Sequence, residues 1–364
     1  MSRTPRTNDS PRLTRELVSR KVFADDPLFV VDVGASRGID RYWGAFGDQL
    51  RAVGFDPLVA EVDRLNAAAG PRVRYEAAWV TCREPVAPST DRSTQFFQRT
   101  SAVRAAEVSA LDYIREHFNA GAPIELTDTR IVLDDHFGRD ERDSIDFLKV
   151  DTDGGDFDVL RGAEEMLRDG GVLGLAVEAQ FHGLVNRDAN LLSNVDLYLR
   201  DLGFGLFDLE VYRYSRSALP AAFALDLPAQ TVTGQVSWGE ALYFRDLGDP
   251  RYESMWEFRP SAVDVFKLMC LFEIFGLPDC AAELILEHEQ LLGGERTRTE
   301  LLDILAAQQA GAGTTYAELQ HRFDAEARRR FSPGARSGDV RAARTTSLGR
   351  RIRAGRRRLR RRPR

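Results

Sequence analysis

Phe29-Val30-Val31-Asp32-Val33-Gly34-Ala35-Ser36-Arg37-Gly38 opens as an apolar run and closes on two glycines. An apolar run of this length bounded by Gly reads as a strand buried on both faces. The glycines let the chain turn sharply and let backbone N–H groups come close to a ligand. Helical spacing over residues 39–50 completes a strand–turn–helix unit, the opening of a nucleotide-binding type of α/β fold.

The spacing Gly34-x-x-x-Gly38 is not the G-x-G-x-x-G of a dinucleotide site, and without a lysine the turn is not a Walker phosphate cradle. Asp32, two residues before Gly34, would repel a pyrophosphate but suits a cationic amino acid. S-Adenosylmethionine carries such an amino group together with a sulfonium. The next strand, residues 51–57, ends at Asp56, about 20 residues beyond the turn, where a carboxylate accepts ribose hydroxyls. Alone, Asp32 reads equally as a turn-capping acid. Gly34, Gly38 and Asp56 at these spacings favour a nucleoside-type ligand.

Outward from this unit, a helix over 59–67 and a third strand over 73–80 give β-α-β-α-β, which implies right-handed crossovers and a parallel sheet. Ala77 and Ala78 are small enough for a flat ring to lie against them. Residues 81–101 form a long irregular connection of the kind that covers sites. A helix over 105–118 and a short strand over 129–132 follow. The second informative stretch runs from Ile145 to Asp156: a strand ends at Asp151, Gly154-Gly155 make the turn, and a helix covers 156–167. A strand over 172–177 ends at Glu178, followed by Gln180, Phe181 and His182. Ligands of open α/β sheets bind outside the carboxyl ends of the strands, where Asp32, Asp56, Asp151 and Glu178 all fall.

A helix over 191–202 and strands over 204–214 and 241–245 end the sheet, with an apolar insertion at 217–237 placed to wall a pocket. Beyond residue 250 the pattern turns helical, over 261–275 and 279–292. Thr297-x-x-Glu300 and Thr315-x-x-Glu318 read as capping boxes opening two further helices. The expected organisation is an N-terminal flexible segment with a short helix (1–22), an α/β domain (23–247), a helical appendage (248–331) and a disordered Arg-rich tail (332–364).

The 364 residues are 43% hydrophobic and 29% charged, the balance of a soluble globular protein. No apolar run approaches membrane-spanning length, and the polar N-terminus is not a signal peptide. Cys82, Cys270 and Cys280 have no metal-ligand spacing and read as reduced thiols of a cytoplasmic protein, peripheral at most to the inner membrane face. The net charge of -6 hides an asymmetry, because residues 341–364 hold 12 Arg and no acid. Arg350 to Arg364 could neutralise RNA phosphates, hold the chain to anionic lipid, or stay solvated. No aromatic residues interleave them for base stacking.

The two glycine-bearing stretches together resemble the FkbM-type methyltransferase family. The resemblance is carried by Asp32-Val33-Gly34-Ala35, by Gly54-Phe55-Asp56-Pro57, and most specifically by Asp146-Phe147-Leu148-Lys149-Val150-Asp151-x-Asp153-Gly154-x-Asp156-x-x-Val159-Leu160-x-Gly162-Ala163. Val177-Glu178-x-Gln180-Phe181 and the segment from Gly234 to Tyr243 also fit. The resemblance implies a class I methyltransferase fold, a Rossmann-like doubly wound α/β sheet that is mostly parallel with an antiparallel edge strand. It also implies S-adenosylmethionine as cofactor and methyl transfer to a hydroxyl of a sugar, glycan or natural product. The chain departs from the family at Ser36-Arg37, and at Asp153 and Asp156, where Glu is usual.

Under this resemblance the turn of Gly34, Ala35, Ser36 and Gly38 approaches the methionine end of the cofactor. Asp32 faces its amino group, Asp56 its ribose and Ala78 its ring. A sugar hydroxyl is a weak acid, so a base is required, and Asp151, Glu178 and His182 are the candidates. Asp151, Glu178 and Asp153 would also offer a divalent metal three oxygens, and such a metal would acidify the acceptor. Plainer readings stand beside these. Asp153 and Asp156 cap a helix start, Lys149 pairs with a neighbouring acid, and His182 is structural. Two other functions fit the same chain: an RNA methyltransferase using the tail, and a non-catalytic assembly protein. A homodimer through the helical appendage is a further expectation.

Overall fold

Strand β1, Leu28–Val33, is buried at all six positions, as its unbroken apolar run requires. In the computed structural model, which describes residues 7–85, 96–109, 126–183, 186–224 and 229–331, this strand lies mid-sheet. It pairs in parallel with β2 (Leu50–Asp56) on one side and β6 (Phe147–Val150) on the other. Strand β3 (Val73–Ala77) extends the sheet beyond β2, and β7 (Gly174–Gln180) extends it beyond β6, both parallel. The sheet closes with β8 (Phe204–Tyr214) and β9 (Gln235–Arg245), and β9 runs antiparallel to both β7 and β8. The order β3-β2-β1-β6-β7-β9-β8 is that of a Rossmann-like doubly wound sheet with an antiparallel edge. Its switch point lies between β1 and β6, where such sheets open a crevice.

The expected third strand is broken at Ala78. Its N–H bonds the Asp56 carbonyl, and the chain then leaves the sheet as β4 (Trp79–Val80), which pairs with β5 (Arg130–Ile131). The helix expected over 39–50 is a 3-10 helix, Arg41–Gln49, interrupted at Gly47 (φ 55°). The helix expected over 156–167 divides into Asp156–Arg161 and Glu164–Asp169. Between them a Cβ on Gly162 would stand 2.2 Å from the Thr81 carbonyl oxygen, so the backbone of Thr81 crosses there.

The sheet buries both faces. On one, Leu148, Val150, Leu175 and Val177 pack with Val159, Leu160, Leu167 and Leu199 from the helices beside them. On the other, Phe147 and Phe244 meet Trp43, Phe272 and Phe275. The helix Ala262–Ile274, in the segment that the sequence sets apart as an appendage, is thus part of the interior. Lys267 Nζ bonds Asp146 at 3.0 Å and Asp26 at 2.7 Å, while Asp146 also accepts the Phe29 N–H at 2.8 Å. Glu273 accepts the N–H groups of Leu13 and Thr14 and the Thr14 hydroxyl at 2.7–2.9 Å, satisfying donors at the start of the helix Arg12–Ser19.

Two compact units divide the chain, Met1–Leu301 and Leu302–Arg364, with the border inside the helix Glu295–Ala310. The Thr315–Glu318 box forms as expected, at 3.1 and 3.3 Å, and opens the helix Tyr316–Phe331. Thr297 opens no helix, because it lies inside Glu295–Ala310. A box that the sequence reading missed, Ser261–Asp264, opens Ala262–Ile274 at 2.8 and 3.2 Å. The helix expected over 105–118 is seen as Ser101–Val108. Residues 110–118 of the expected helix and the tail with Arg350 to Arg364 lie outside the described residues. Among the described residues no helix is long and apolar enough to cross a membrane.

Removing one member of a buried ion pair leaves the other charge uncompensated. Lys267→Met should lower unfolding free energy by about 3 kcal/mol or more in urea denaturation, and adding Asp146→Asn should recover part of the loss.

Candidate active site

Residues in register on adjacent strands point their side chains to the same face of a sheet. Asp32 and Lys149 are such a pair across β1 and β6. Lys149 Nζ lies 3.3 Å from Asp32, 3.9 Å from Asp40 and 3.9 Å from Asp151, a single ammonium among three carboxyl groups. Asp32 is fully buried, and its Oδ2 has no hydrogen-bond partner. Burial lifts Asp32 to about 6 against the opposing pull of Lys149. The Tyr42 hydroxyl donates to Asp40 at 2.9 Å.

A second row of acids crosses the neighbouring strands. Glu178 on β7 pairs in register with Glu240 on β9, and Glu240 with Glu210 on β8. Asp151 follows the end of β6, fixed by its N–H to the Val33 carbonyl at 2.9 Å, and its side chain hydrogen-bonds Glu178. Burial, then the nearby Asp156, Asp151 and Asp153, push the Glu178 carboxyl well up, which favours its protonated form beside Asp151. Burial, then Asp151, pushes Glu240 to about 8. The Tyr212 hydroxyl lies 3.4 Å from Glu240, and the Tyr212 ring stacks on Trp238 at 4.0 Å. Glu240 and Asp40 were missed by the sequence reading. The one signal for Glu240 was an acid inside an otherwise apolar strand end.

At the first turn, Gly34 has φ 88°, and a Cβ there would stand 1.8 Å from the Asp151 carbonyl oxygen. Glycine is therefore required for the turn to pass over the end of β6. The amides of the turn are not turned outward as expected. Gly34 and Ala35 N–H both bond the Phe55 carbonyl at 2.9 Å, and Gly38 N–H bonds the Ala35 carbonyl. Ser36 is exposed. Asp56, at the end of β2, is 5% exposed. Its Oδ1 accepts the Leu58 N–H at 2.8 Å, and burial raises its carboxyl. Ala78 is buried and bonds the Asp56 carbonyl, so the two lie together.

Asp156 is buried and accepts from Thr152 N–H (2.8 Å), Gly154 N–H (3.1 Å) and Asn190 Nδ2 (2.8 Å), so it ties the turn that precedes its helix rather than capping the helix start, which has no side-chain cap. His182 Nε2 lies 2.6 Å from the Val236 carbonyl. A carbonyl only accepts, so Nε2 carries the hydrogen and Nδ1 is the nitrogen left to take a proton. The ring stacks on Phe96 at 3.9 Å. Among the described residues no hydrogen bond or ion pair joins His182 to Asp151 or Glu178. The three oxygen donors Asp151, Glu178 and Asp153 do not make a metal cage either: among the described residues no group of three or more His, Cys, Asp or Glu is placed to hold a metal ion.

Both glycine turns and all of these acids except Glu210 and Glu240 fall in one matched segment, since the family model described as "Methyltransferase FkbM domain" matches residues 32–206. Residues 32–206 form an FkbM methyltransferase domain. The FkbM domain begins at the buried Asp32 and includes Asp56, Asp151, Glu178 and His182, while Glu240 lies beyond its end. A search of curated proteins gave no match. Among solved structures, the chain is similar to a SAM-dependent methyltransferase from Aquifex aeolicus, at 12% identity and TM-score 0.27, covering 65% of this chain and 94% of that one. It is also similar to the 1,6-didemethyltoxoflavin-N1-methyltransferase of Burkholderia thailandensis, solved with 1,6-didemethyltoxoflavin and S-adenosylhomocysteine bound, at 12% identity and TM-score 0.27, covering 65% and 78%. A TehB-like SAM-dependent methyltransferase from Corynebacterium glutamicum is 11% identical, with TM-score 0.22, covering 63% and 86%.

The raised carboxyl of Glu240 has a measurable sign. The folded protein holds this proton to about 8, whereas an unfolded Glu releases it near about 4.3. Folding therefore takes up a proton between these values, and this contribution to stability is lost as pH rises through them. Glu240→Gln should flatten the decline of melting temperature from pH 5 to 9, measured by calorimetry, and be the more stable protein at the alkaline end.

Proposed function

We propose that the FkbM domain transfers a methyl group from S-adenosylmethionine to a hydroxyl oxygen of a sugar, glycan or glycosylated natural product. The observation that carries this reading is the hydrogen-bonded Glu178–Asp151 pair at the carboxyl edge of the sheet, next to the switch point.

The residues present fit the cofactor. The buried, unpartnered Oδ2 of Asp32 is an acceptor for a cationic ammonium group. Asp56 and Ala78, side by side at the ends of β2 and β3, suit a ribose and a flat ring. When bound, S-adenosylmethionine supplies an electrophilic methyl group on a sulfonium.

A hydroxyl must lose its proton as it attacks, so the acceptor oxygen needs a base within hydrogen-bond reach. Asp151 is held at the end of β6, and its side chain is 46% exposed, open to an incoming hydroxyl. Lys149 on one side and the Glu178 proton on the other orient its carboxyl group. In this reading Asp151 takes the hydroxyl proton while Glu178 and Lys149 hold Asp151 in place. In this reading Glu240, one strand further out, hydrogen-bonds a neighbouring hydroxyl of the acceptor. His182 is the second base candidate, through Nδ1.

Two variants separate binding from turnover. Asp56→Ala should weaken S-adenosylmethionine binding by about tenfold or more in titration calorimetry, the loss of about 1.4 kcal/mol. Unchanged affinity would overturn the ribose assignment. Asp151→Asn should lower kcat by about 10²–10⁴ with cofactor affinity retained, measured as labelled-methyl transfer to a glycan panel. Full turnover in Asp151→Asn would move the base to His182.

A further inference from the structure

The β8–β9 ladder does not stop at the carboxyl edge of the sheet. Gln180, the last residue of β7, pairs with Trp238, but β8 and β9 continue past it to Tyr214↔Gln235. Beyond that, the connection folds into a small ribbon. Phe223 bridges Thr231, Ala224 N–H bonds the Gln230 carbonyl, and Val232 N–H bonds the Ala222 carbonyl. The ribbon is tied at its base to the segment carrying the helix Ser101–Val108. Ser101 N–H bonds the Ser215 carbonyl, Ser217 N–H bonds the Arg99 carbonyl, and Arg104 donates to the Ser217 carbonyl. The two segments therefore make one surface at the edge where Asp151 and Glu178 stand.

This surface is apolar where it projects and basic around its base. Leu219 is 84% exposed, Val108 81%, Val232 60% and Phe223 56%. Alternation along a strand sends Phe223, which shares a face with Thr231, to the opposite side of the ribbon from Val232. A ribbon with exposed apolar side chains on both faces offers no single flat face to a protein partner. It suits a surrounding apolar medium. Over the described residues 96–109, 213–224 and 229–236 the charged residues are Arg99, Arg104, Arg213 and Arg216 against Glu107 alone, in a chain whose net charge is -6. Apolar side chains that enter the acyl boundary, with arginines at headgroup level, are the pattern of an interfacial anchor on anionic lipid.

We propose that this ribbon and its arginine collar dock the protein on an anionic lipid bilayer, with the carboxyl edge of the sheet held at the membrane surface. An acceptor carried on a lipid would then meet Asp151 and Glu178 without leaving the bilayer. Docking is separate from methyl transfer, so it stands or falls without the proposed reaction.

The test is sedimentation of the full chain with vesicles of phosphatidylcholine alone and of phosphatidylcholine mixed with phosphatidylglycerol. The chain should partition to the mixed vesicles, less so as salt rises, and Leu219→Asp/Phe223→Asp should reduce that partitioning about tenfold or more. Melting temperature and cofactor affinity should stay those of the unaltered chain, since neither side chain is buried. Arg104→Glu should weaken binding to the mixed vesicles and leave the neutral ones unaffected. Equal retention of the double variant would assign binding to residues 332–364 and overturn the proposal. So would the absence of vesicle binding, alone or with a dimer in ultracentrifugation that the double variant abolishes, because the surface would then be no membrane anchor, and in the second case a contact between two copies.

Discussion

The ammonium of Lys149 is what lets β1 and β6 end side by side in acids. Three carboxyl groups within 4 Å of one nitrogen would repel one another strongly in a partly buried site without that charge. Lys149 cancels enough of the repulsion for the parallel register Asp32↔Lys149 to hold. It does not cancel all of it, and Asp32 keeps one oxygen unsatisfied. The edge is left short of positive charge, the condition under which a cationic cofactor is favoured. The backbone enforces the same closeness. The turn at Gly34 has no room for a side chain over Asp151, so the ends of β1 and β6 cannot drift apart without losing the packing beneath them.

How much of this was readable beforehand follows from which contacts are local. The apolar run of β1, its glycine turn, and the acids at Asp32, Asp56 and Asp151 are local patterns, and the parallel sheet was legible from them. Glu240 was not, because its closeness to Glu178 depends on an antiparallel return of the chain and on the β7–β9 register that no local pattern reveals. Asp40 was not, because it reaches Lys149 only through the path of a 3-10 helix that the sequence reads as an ordinary helix. His182 shows the reverse. Its position after β7 was read correctly, but nothing local foretold that its ring would be held by Phe96 and the Val236 carbonyl.

The segment beyond residue 248 makes the same point on a larger scale. Helical spacing and a Gly-Leu-Pro break mark it as helices, and helices they are. That Phe272 and Phe275 complete one face of the sheet is a long-range fact. It depends on Phe147 and Phe244 meeting rings from a helix that follows them in the chain. A helix whose residues are apolar nearly all round, as over Leu268–Ile274, belongs in an interior, and that composition was the available clue.

The bond from Lys267 to Asp146 spans 121 residues, and the bond from the same nitrogen to Asp26 spans 241. During synthesis, the ribosome has threaded out the strands β1 to β9 before this amine exists. Until then Asp146 lacks the Lys267 ammonium and Phe147 and Phe244 lack the rings of Phe272 and Phe275, so the emerging chain carries a sheet face that is only partly covered for the time it takes to add the last helices. The order of translation thus makes completion of this enzyme depend on its C-terminal third, and makes the interval before that third appears the period when a chaperone has something to hold.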